Sequence, residues 1–171
     1  MKPIFERLFR SIYKRKARIR ICHDPLLGGV SEALKSERIS EIVERYKGMT
    51  NIFILCVDRD GNEGRRDRLD EIEAEFGDDA LFLAANAWEE IETWALAGLK
   101  LPRKWQWEDV RTAIQVKEQY FDPLAAQRGL SDRPGGGRKP LGEEAARNID
   151  VIRQKCPEDF DHLALRLSEV S

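Results

Sequence analysis

The chain has 171 residues, of which 42% are hydrophobic and 35% are charged. This length suits one domain with a core of its own, and the composition suits a soluble globular protein with a heavily charged surface. Lys and Arg total 29 against 31 Asp and Glu, so the net charge of −2 argues neither for nor against a nucleic-acid partner. Eight basic residues and one acid between residues 2 and 20 make that end locally positive.

The cysteines and the hydropathy pattern indicate the cellular compartment. Cys22, Cys56 and Cys156 are odd in number and widely spaced, without CxxC or Cys/His ligand spacing. We therefore expect three reduced, mostly buried thiols. No export signal and no stretch long enough to span a membrane is found. The sequence predicts a cytoplasmic protein without a membrane partner.

Three apolar segments predict β-strands. ARIRIC, residues 17–22, alternates between apolar and polar side chains and is followed by a turn, DPLLGG, at residues 24–29. NIFILCV, residues 51–57, and ALFLAA, residues 80–85, are unbroken apolar runs. Such runs are typical of parallel strands that are covered on both faces.

Helical patterns occupy the segments around these strands, at residues 3–15, 31–48, 65–76, 88–98, 108–121, 141–155 and 158–170. Ser31 is expected to cap the second helix and Gly98 to end the fourth. Alternation of strands and helices predicts an α/β fold, with a mainly parallel sheet flanked by helices and a helical C-terminal part. We expect residues 1–100 to form the α/β core and residues 101–171 a helical extension packed on the same domain.

Two carboxylates follow the strand at residues 51–57. Ligands of open parallel sheets bind at the carboxyl ends of strands, and residues i and i+2 of a strand point the same way. Oxygen ligands with room for water suit Mg²⁺. We therefore expect Asp58 and Asp60 to hold Mg²⁺ or Mn²⁺. The competing interpretation is that they cap the following turn and helix, a role for which one acid suffices.

Two other known patterns contain closely spaced acids. An EF-hand loop that began at Asp58 would need Gly at position 63 and Glu at position 69, where this chain has Glu63 and Leu69, so we reject it. The haloacid-dehalogenase phosphatases place Asp-x-Asp-Gly after an apolar strand and would use Asp58 and Asp60 as nucleophile and acid/base. Asn62 stands where they usually have Thr, and this interpretation stays open as the weaker one.

The chain resembles Toprim-like proteins, which share the metal-binding domain of topoisomerases, bacterial primases and overcoming-lysogenization-defect nucleases. Within that class it looks most like a small stand-alone family often found beside ATPases in bacterial defence systems. The matching segments, spanning roughly residues 26–168, are FILCVDRDGN, EEIETWALAG and GGGRKPLGEEAARNIDVIRQKCPEDFDHLALRL. The resemblance implies metal-dependent, nuclease-like chemistry on nucleic acid.

The resemblance also has a gap at the N-terminus. Toprim proteins begin with a strand that ends in a Glu, whereas the first pattern here is already the helix at residues 3–15. We expect this chain to lack that strand and its Glu, for which Glu6 is a poor substitute. The edge of the strand at residues 51–57 would then be covered by a second copy, a partner or that helix. A non-catalytic partner of an ATPase therefore stays open beside an enzyme.

A third acid is expected beyond the strand at residues 80–85. Glu89 and Glu92 would share one face of the helix at residues 88–98, whereas Glu90 would point elsewhere. Glu92 matches the Glu-x-Trp position of the resemblance, which implies that it assists Asp58 and Asp60 as a catalytic and metal-binding residue. Ordinary surface glutamates near a helix N-terminus are the competing interpretation.

The glycine-rich segment SDRPGGGRKP, residues 131–140, is predicted to be a loop. Its backbone amides and the side chains of Arg133, Arg138 and Lys139 could contact phosphates of nucleic acid. It lacks the order of a P-loop, so no ATP site is expected. A flexible loop without a ligand is the competing interpretation. Trp88 and Trp94 are expected to lie in the core, with stacking on nucleic-acid bases as the competing interpretation.

Overall fold

The computed structural model describes residues 1–24, 27–76 and 81–170. Within them the chain is a mixed α/β protein with one two-stranded parallel sheet, β1–β2, flanked by helices. The elements are α1 Lys2–Tyr13, α2 Val30–Ala33, α3 Ser36–Tyr46, β1 Phe53–Asp58, α4 Arg65–Phe76, β2 Phe82–Ala87, α5 Glu92–Ala97, α6 Trp107–Thr112, α7 Asp122–Gln127, α8 Arg138–Ala145, α9 Ile149–Lys155 and α10 His162–Glu169. Among the described residues, no helix has the length and hydropathy of a membrane span.

The chain divides into two compact units. One, here called the sheet unit, is Ile21–Asn86, and the other, the helical unit, is Met1–Arg20 with Ala87–Ser171. This division differs from the predicted boundary at residue 100. Residues 1–20 join the helical unit because α1 buries apolar side chains against α8 and α10, and residues 87–100 join it because α5 packs against α8 and α9. Tyr13 Oη also donates a hydrogen bond of 2.6 Å to the carbonyl of Leu167.

The core of the sheet unit confirms the two strands predicted from unbroken apolar runs. Alternate side chains of β1 are buried, beginning with Phe53, and they pack with apolar residues of α3 and α4 such as Val43 and Ile72. The other face of β1 is only half-buried, so it is less covered than predicted. Ala80, the first residue of the strand predicted at residues 80–85, lies outside the described residues.

The prediction of a strand at residues 17–22 is wrong. This segment has no regular secondary structure, and the Ile21 side chain is 56% exposed. Alternation marks a strand only where a neighbouring strand supplies a ladder and a core covers one face. Residues 17–22 cross the boundary between the two units, where neither condition is met in the part of the chain that the structure describes. Part of the predicted turn that follows, residues 25–26, lies outside the described residues.

Several predicted helices are shorter or broken. The helix predicted over residues 31–48 is two helices, α2 and α3, and Ser31 lies inside α2 because Gly29 occupies the N-cap. The helix predicted over residues 108–121 ends at Thr112, and the chain resumes as a π-helical turn that leads into α7. The helix at residues 65–76 has the predicted bounds.

The core of the helical unit forms around Trp94. This side chain is fully buried, as predicted, and makes edge-to-face contacts with Phe5 and Phe160 at centroid distances of 6.0 and 5.1 Å. Gly98 ends α5 as predicted, and its carbonyl accepts a 2.7 Å hydrogen bond from the Asn148 side chain. The helices α5 and α8 pack against each other, and the backbone at Gly98 closely approaches Ala145.

Candidate functional site

The carboxyl end of β1 runs into a tight turn. Asp58 is the last residue of the strand, and the amide of Asn62 donates a 3.0 Å hydrogen bond to the carbonyl of Arg59. Asp60 and Gly61, the central residues of this turn, have φ of +51° and +67°. Positive φ at both central positions is the signature of a type I′ turn.

The turn contradicts the expectation that Asp58 and Asp60 point the same way as residues i and i+2 of one strand. The rule that residues i and i+2 share a face holds within an extended strand. Asp60 lies beyond the strand in the left-handed conformation, which Asp and Asn tolerate better than most residues. Asp58 is half-buried and Asp60 is exposed. Their joint metal coordination stays a prediction.

The surroundings of Asp58 are electrically unusual. Burial and, to a smaller extent, the negative charge of Asp58 together raise the pKa of the Cys56 thiol to about 12. The Asp58 carboxylate therefore lies close enough to Cys56, two residues earlier on the same strand face, to oppose a second negative charge. A cation at this strand end would be stabilised by the same field.

Sequence reasoning missed Arg65, the first residue of α4. Its amide donates a 3.2 Å hydrogen bond to the carbonyl of Asn62, so α4 starts directly from the turn that carries Asp60. Its side-chain Nε is buried and has no hydrogen-bond partner among the described residues. A buried donor without an acceptor is costly, and such groups often mark an absent ligand. The available signal was a basic pair, Arg65 and Arg66, immediately after the Asp-x-Asp-Gly-Asn turn.

Arg66, the next residue, is fully used by the sheet unit itself. Its guanidinium binds the carboxylate of Asp70 and donates a 2.9 Å hydrogen bond to the carbonyl of Ala84 in β2. Glu73 accepts a 2.8 Å hydrogen bond from the amide of Ala84. These contacts tie α4 to the outer edge of β2, so Arg65 and Arg66 have different roles despite their adjacency.

The third predicted acid, Glu92, belongs to the helical unit, whereas Asp58 and Asp60 belong to the sheet unit. Glu92 is the first residue of α5 and its side chain is only 3% exposed. Arg138 Nε donates a 2.7 Å hydrogen bond to Glu92 Oε1. The structure thus brings together one predicted metal ligand and one predicted phosphate ligand as an ion pair.

Glu89 and Glu90 precede α5, the helix that begins at Glu92. The prediction that Glu89 and Glu92 share one helix face is therefore wrong. Glu89 is buried and has φ of +60°, so it precedes α5 in a turn. Glu90 accepts a hydrogen bond from the backbone amide of Lys117. The helix starts later than its sequence pattern suggested because the chain turns at these two residues first.

The predicted phosphate-binding loop is partly a helix. Gly135, Gly136 and Gly137 have positive φ, which forms the turn, but Arg138 and Lys139 are the first residues of α8. Arg133 and Lys139 are exposed. These two side chains are therefore accessible, whereas Arg138 is committed to Glu92.

Among the described residues, no group of three or more His, Cys, Asp or Glu side chains is arranged to hold a metal ion. Any metal at the end of β1 would therefore rely on two carboxylates together with water or substrate oxygens. Comparison of the chain with protein-family models, curated proteins and solved structures finds no match.

Proposed function

We propose that the protein is a Toprim-like protein that acts on phosphodiesters of nucleic acid with Mg²⁺ or Mn²⁺. The observation that carries the proposal is the arrangement at the end of β1. A half-buried acid, Asp58, ends a strand of a parallel sheet, and the following turn carries the exposed acid Asp60. The Nε–H of Arg65, at the start of α4, is buried and lacks a partner among the described residues.

The donor set suits a hard divalent cation. Mg²⁺ is commonly held by one or two carboxylates, with waters and substrate phosphates completing its coordination. Asp58 and Asp60 would be those carboxylates. The ion, when bound, would polarise a phosphate oxygen and stabilise the negative charge that develops on it.

Arg65 would serve as the first phosphate ligand of this chain. An arginine N–H that donates to a phosphate forms a charge-assisted hydrogen bond, which is stronger than a neutral one. A phosphate oxygen would satisfy the Nε that is buried without a partner among the described residues. Arg133 and Lys139, both exposed, would hold the nucleic-acid backbone farther from the reacting phosphate.

Glu92 and Arg138 form an ion pair with each other before any ligand is bound. In the observed arrangement Arg138 satisfies the Glu92 carboxylate, so each residue would take up its proposed role at the metal or the phosphate only when the pair opens. The resemblance extends the proposal to a cytoplasmic protein that works beside an ATPase in a bacterial defence system.

Direct metal binding tests the first step. Titration with Mn²⁺, followed by calorimetry or electron paramagnetic resonance, should show one site in the wild type. We expect Asp58→Asn and Asp60→Asn each to weaken it at least tenfold. The matched control is Asp67→Asn, which removes an exposed acid from the first turn of α4. Absence of binding in the wild type, or equal loss in the control, would contradict the proposed metal site.

Cleavage tests the second step. A supercoiled plasmid and a single-stranded RNA should be cut in the presence of Mn²⁺, and Asp58→Asn should abolish cutting. Arg65→Gln should slow cutting while Mn²⁺ binding stays unchanged, because it is proposed to contact phosphate rather than metal. Cutting that survives Asp58→Asn would point to a contaminating nuclease and remove the support for this function.

A second function is favoured by the state of Glu92. An acid that is 3% exposed and ion-paired with Arg138 is poorly placed for catalysis as it stands. The alternative is a non-catalytic Toprim-like protein that binds metal or nucleic acid as the partner of an ATPase. Mn²⁺ binding without cleavage of any nucleic acid would support this alternative.

A further inference from the structure

An open groove of about 360 Å³ lies on the helical unit, between α6 and the C-terminal end of α9. This volume falls in the range of about 300–1,000 Å³ that small-molecule sites occupy. Two indole rings, those of Trp88 and Trp107, line it, and the remaining lining is mostly polar. The proposed metal site does not involve this groove, although four of its lining residues lie within the third segment of the resemblance: Gln154, Lys155, Pro157 and Glu158.

One wall of the groove is held rigidly. The guanidinium carbon of Arg111 lies 5.1 Å from the centroid of the Trp88 ring, and Arg111 is bound by the buried carboxylate of Asp159. Asp159 Oδ2 also accepts a 2.8 Å hydrogen bond from the backbone amide of Trp88. The wall is therefore built before any ligand arrives, which reduces the entropy cost of binding.

Other lining residues carry polar groups that form no hydrogen bond or ion pair with the described residues. Among the described residues, neither the side-chain amide of Gln154 nor the indole N–H of Trp107 has a hydrogen-bond partner, and Lys155 makes no ion pair. Lys155 Nζ lies 4.9 Å from the centroid of the Trp107 ring. Glu108, an exposed carboxylate, adds a hydrogen-bond acceptor to the same lining.

These groups match the parts of a nucleotide. An indole face stacks on any base, a glutamine amide pairs with the N6 and N7 atoms of adenine, and a lysine ammonium binds phosphate. The Glu108 carboxylate can accept from ribose hydroxyls or exocyclic amines. We propose that the groove binds an adenine nucleotide, with the base on Trp107, its edge at Gln154 and its phosphate at Lys155.

The nucleotide could be free or an unpaired position of a strand, and the chemistry is shared by both. The strand as source rests on the proposed function. The groove residues belong to the helical unit, whereas Asp58, Asp60 and Arg65 belong to the sheet unit. A variant of one unit therefore tests one proposal without removing the groups of the other.

Binding of the full chain to AMP, UMP, a single-stranded oligo(dA) and an abasic oligomer of the same length tests the inference. Calorimetry in the absence of divalent metal should show AMP binding more tightly than UMP. Trp107→Ala should weaken AMP binding about 5- to 150-fold, which is the worth of one base stacked on an aromatic ring. Trp107→Phe should keep most of the affinity for AMP, because a phenyl ring can also stack on a base.

Further variants separate the proposed contacts. Gln154→Leu should remove the preference for AMP over UMP, and Lys155→Met should lower the salt dependence of oligo(dA) binding by about one phosphate contact. The control Trp105→Ala removes an indole that packs on Tyr120 at 5.0 Å and does not line the groove. Circular dichroism should show that each variant is folded.

Each outcome has a definite meaning. Tighter binding of oligo(dA) than AMP supports a strand as the source, and AMP binding alone supports a free nucleotide. Equal binding of the abasic oligomer and oligo(dA), unchanged binding by Trp107→Ala, or no binding of AMP and oligo(dA) at millimolar concentration would overturn the inference. Asp60→Asn should leave AMP binding intact, so failure of the metal site and failure of the groove are distinguishable.

Discussion

Removal of the charge of Asp159 should strongly destabilise the helical unit. The Asp159 side chain is 3% exposed and that of its partner Arg111 is 8% exposed, at an Oδ1 to Nη2 distance of 2.8 Å. Burial lowers the pKa of Arg111, and the hydrogen bonds and charge of Asp159 raise it by more, so the net pKa is raised. Asp159→Asn would leave the guanidinium buried without its main counter-charge.

The expected cost follows from these contacts. Loss of one partner of a buried ion pair costs about 3–5 kcal/mol. Glu158 still accepts a 3.0 Å hydrogen bond from Arg111. The Glu158 side chain is 61% exposed, so this contact offsets only part of the cost of losing the buried partner. We expect a loss of about 3–4 kcal/mol for Asp159→Asn. Asp159→Ala should lose more, because the indole N–H of Trp94, at 2.6 Å, would also lose its acceptor.

Urea unfolding followed by tryptophan fluorescence provides the assay. All four tryptophans lie within residues 87–171, so the signal reports the helical unit. The matched control is Glu158→Gln, which changes the adjacent exposed acid and should cost less than about 1 kcal/mol. A free energy of unfolding for Asp159→Asn within 1 kcal/mol of the wild type, or equal to that of the control, would refute this account of the buried pair.

Two further predictions concern packing and reactivity. Gly98→Ala should lower the free energy of unfolding by about 1–3 kcal/mol, because the added Cβ would lie 2.7 Å from the carbonyl oxygen of Ala145. Gly48→Ala is its control, since nothing lies within 4 Å of a Cβ there, and an equal loss in both would contradict the clash. In native protein at pH 8, one thiol, the exposed Cys22, should react rapidly with Ellman's reagent, and all three should react after denaturation. Burial raises the pKa of Cys56 to about 12, so about one part in ten thousand is thiolate at pH 8, and burial also raises the pKa of Cys156. Rapid native reaction of two or more thiols would contradict these shifts.

Local patterns in the sequence were sufficient for some of the elements. The periodicities of α1, α4, β1 and β2 appear in the structure because each buries one apolar face or run, and this need is visible within a single segment. The strand predicted at residues 17–22 was wrong, since alternation cannot show whether a neighbouring strand exists to pair with it.

The candidate site was predictable only in part. The sequence indicated that Asp58 would lie at the end of a buried strand, because the apolar run and the following turn are contiguous. It could not show that Asp60 adopts a left-handed conformation or that the buried Nε of Arg65 lacks a partner in the described structure. A joint metal site for Asp58, Asp60 and Glu92 stays a prediction.

Sequence alone determined that α1, α4, β1 and β2 form and that one carboxylate follows a strand, because those properties depend on residues a few positions apart. Tertiary structure alone decided which charges meet. Arg138 pairs with Glu92 across 46 residues and Arg111 with Asp159 across 48. No local pattern encodes such pairings, since burial of a charge requires that the fold bring its partner from a distant segment.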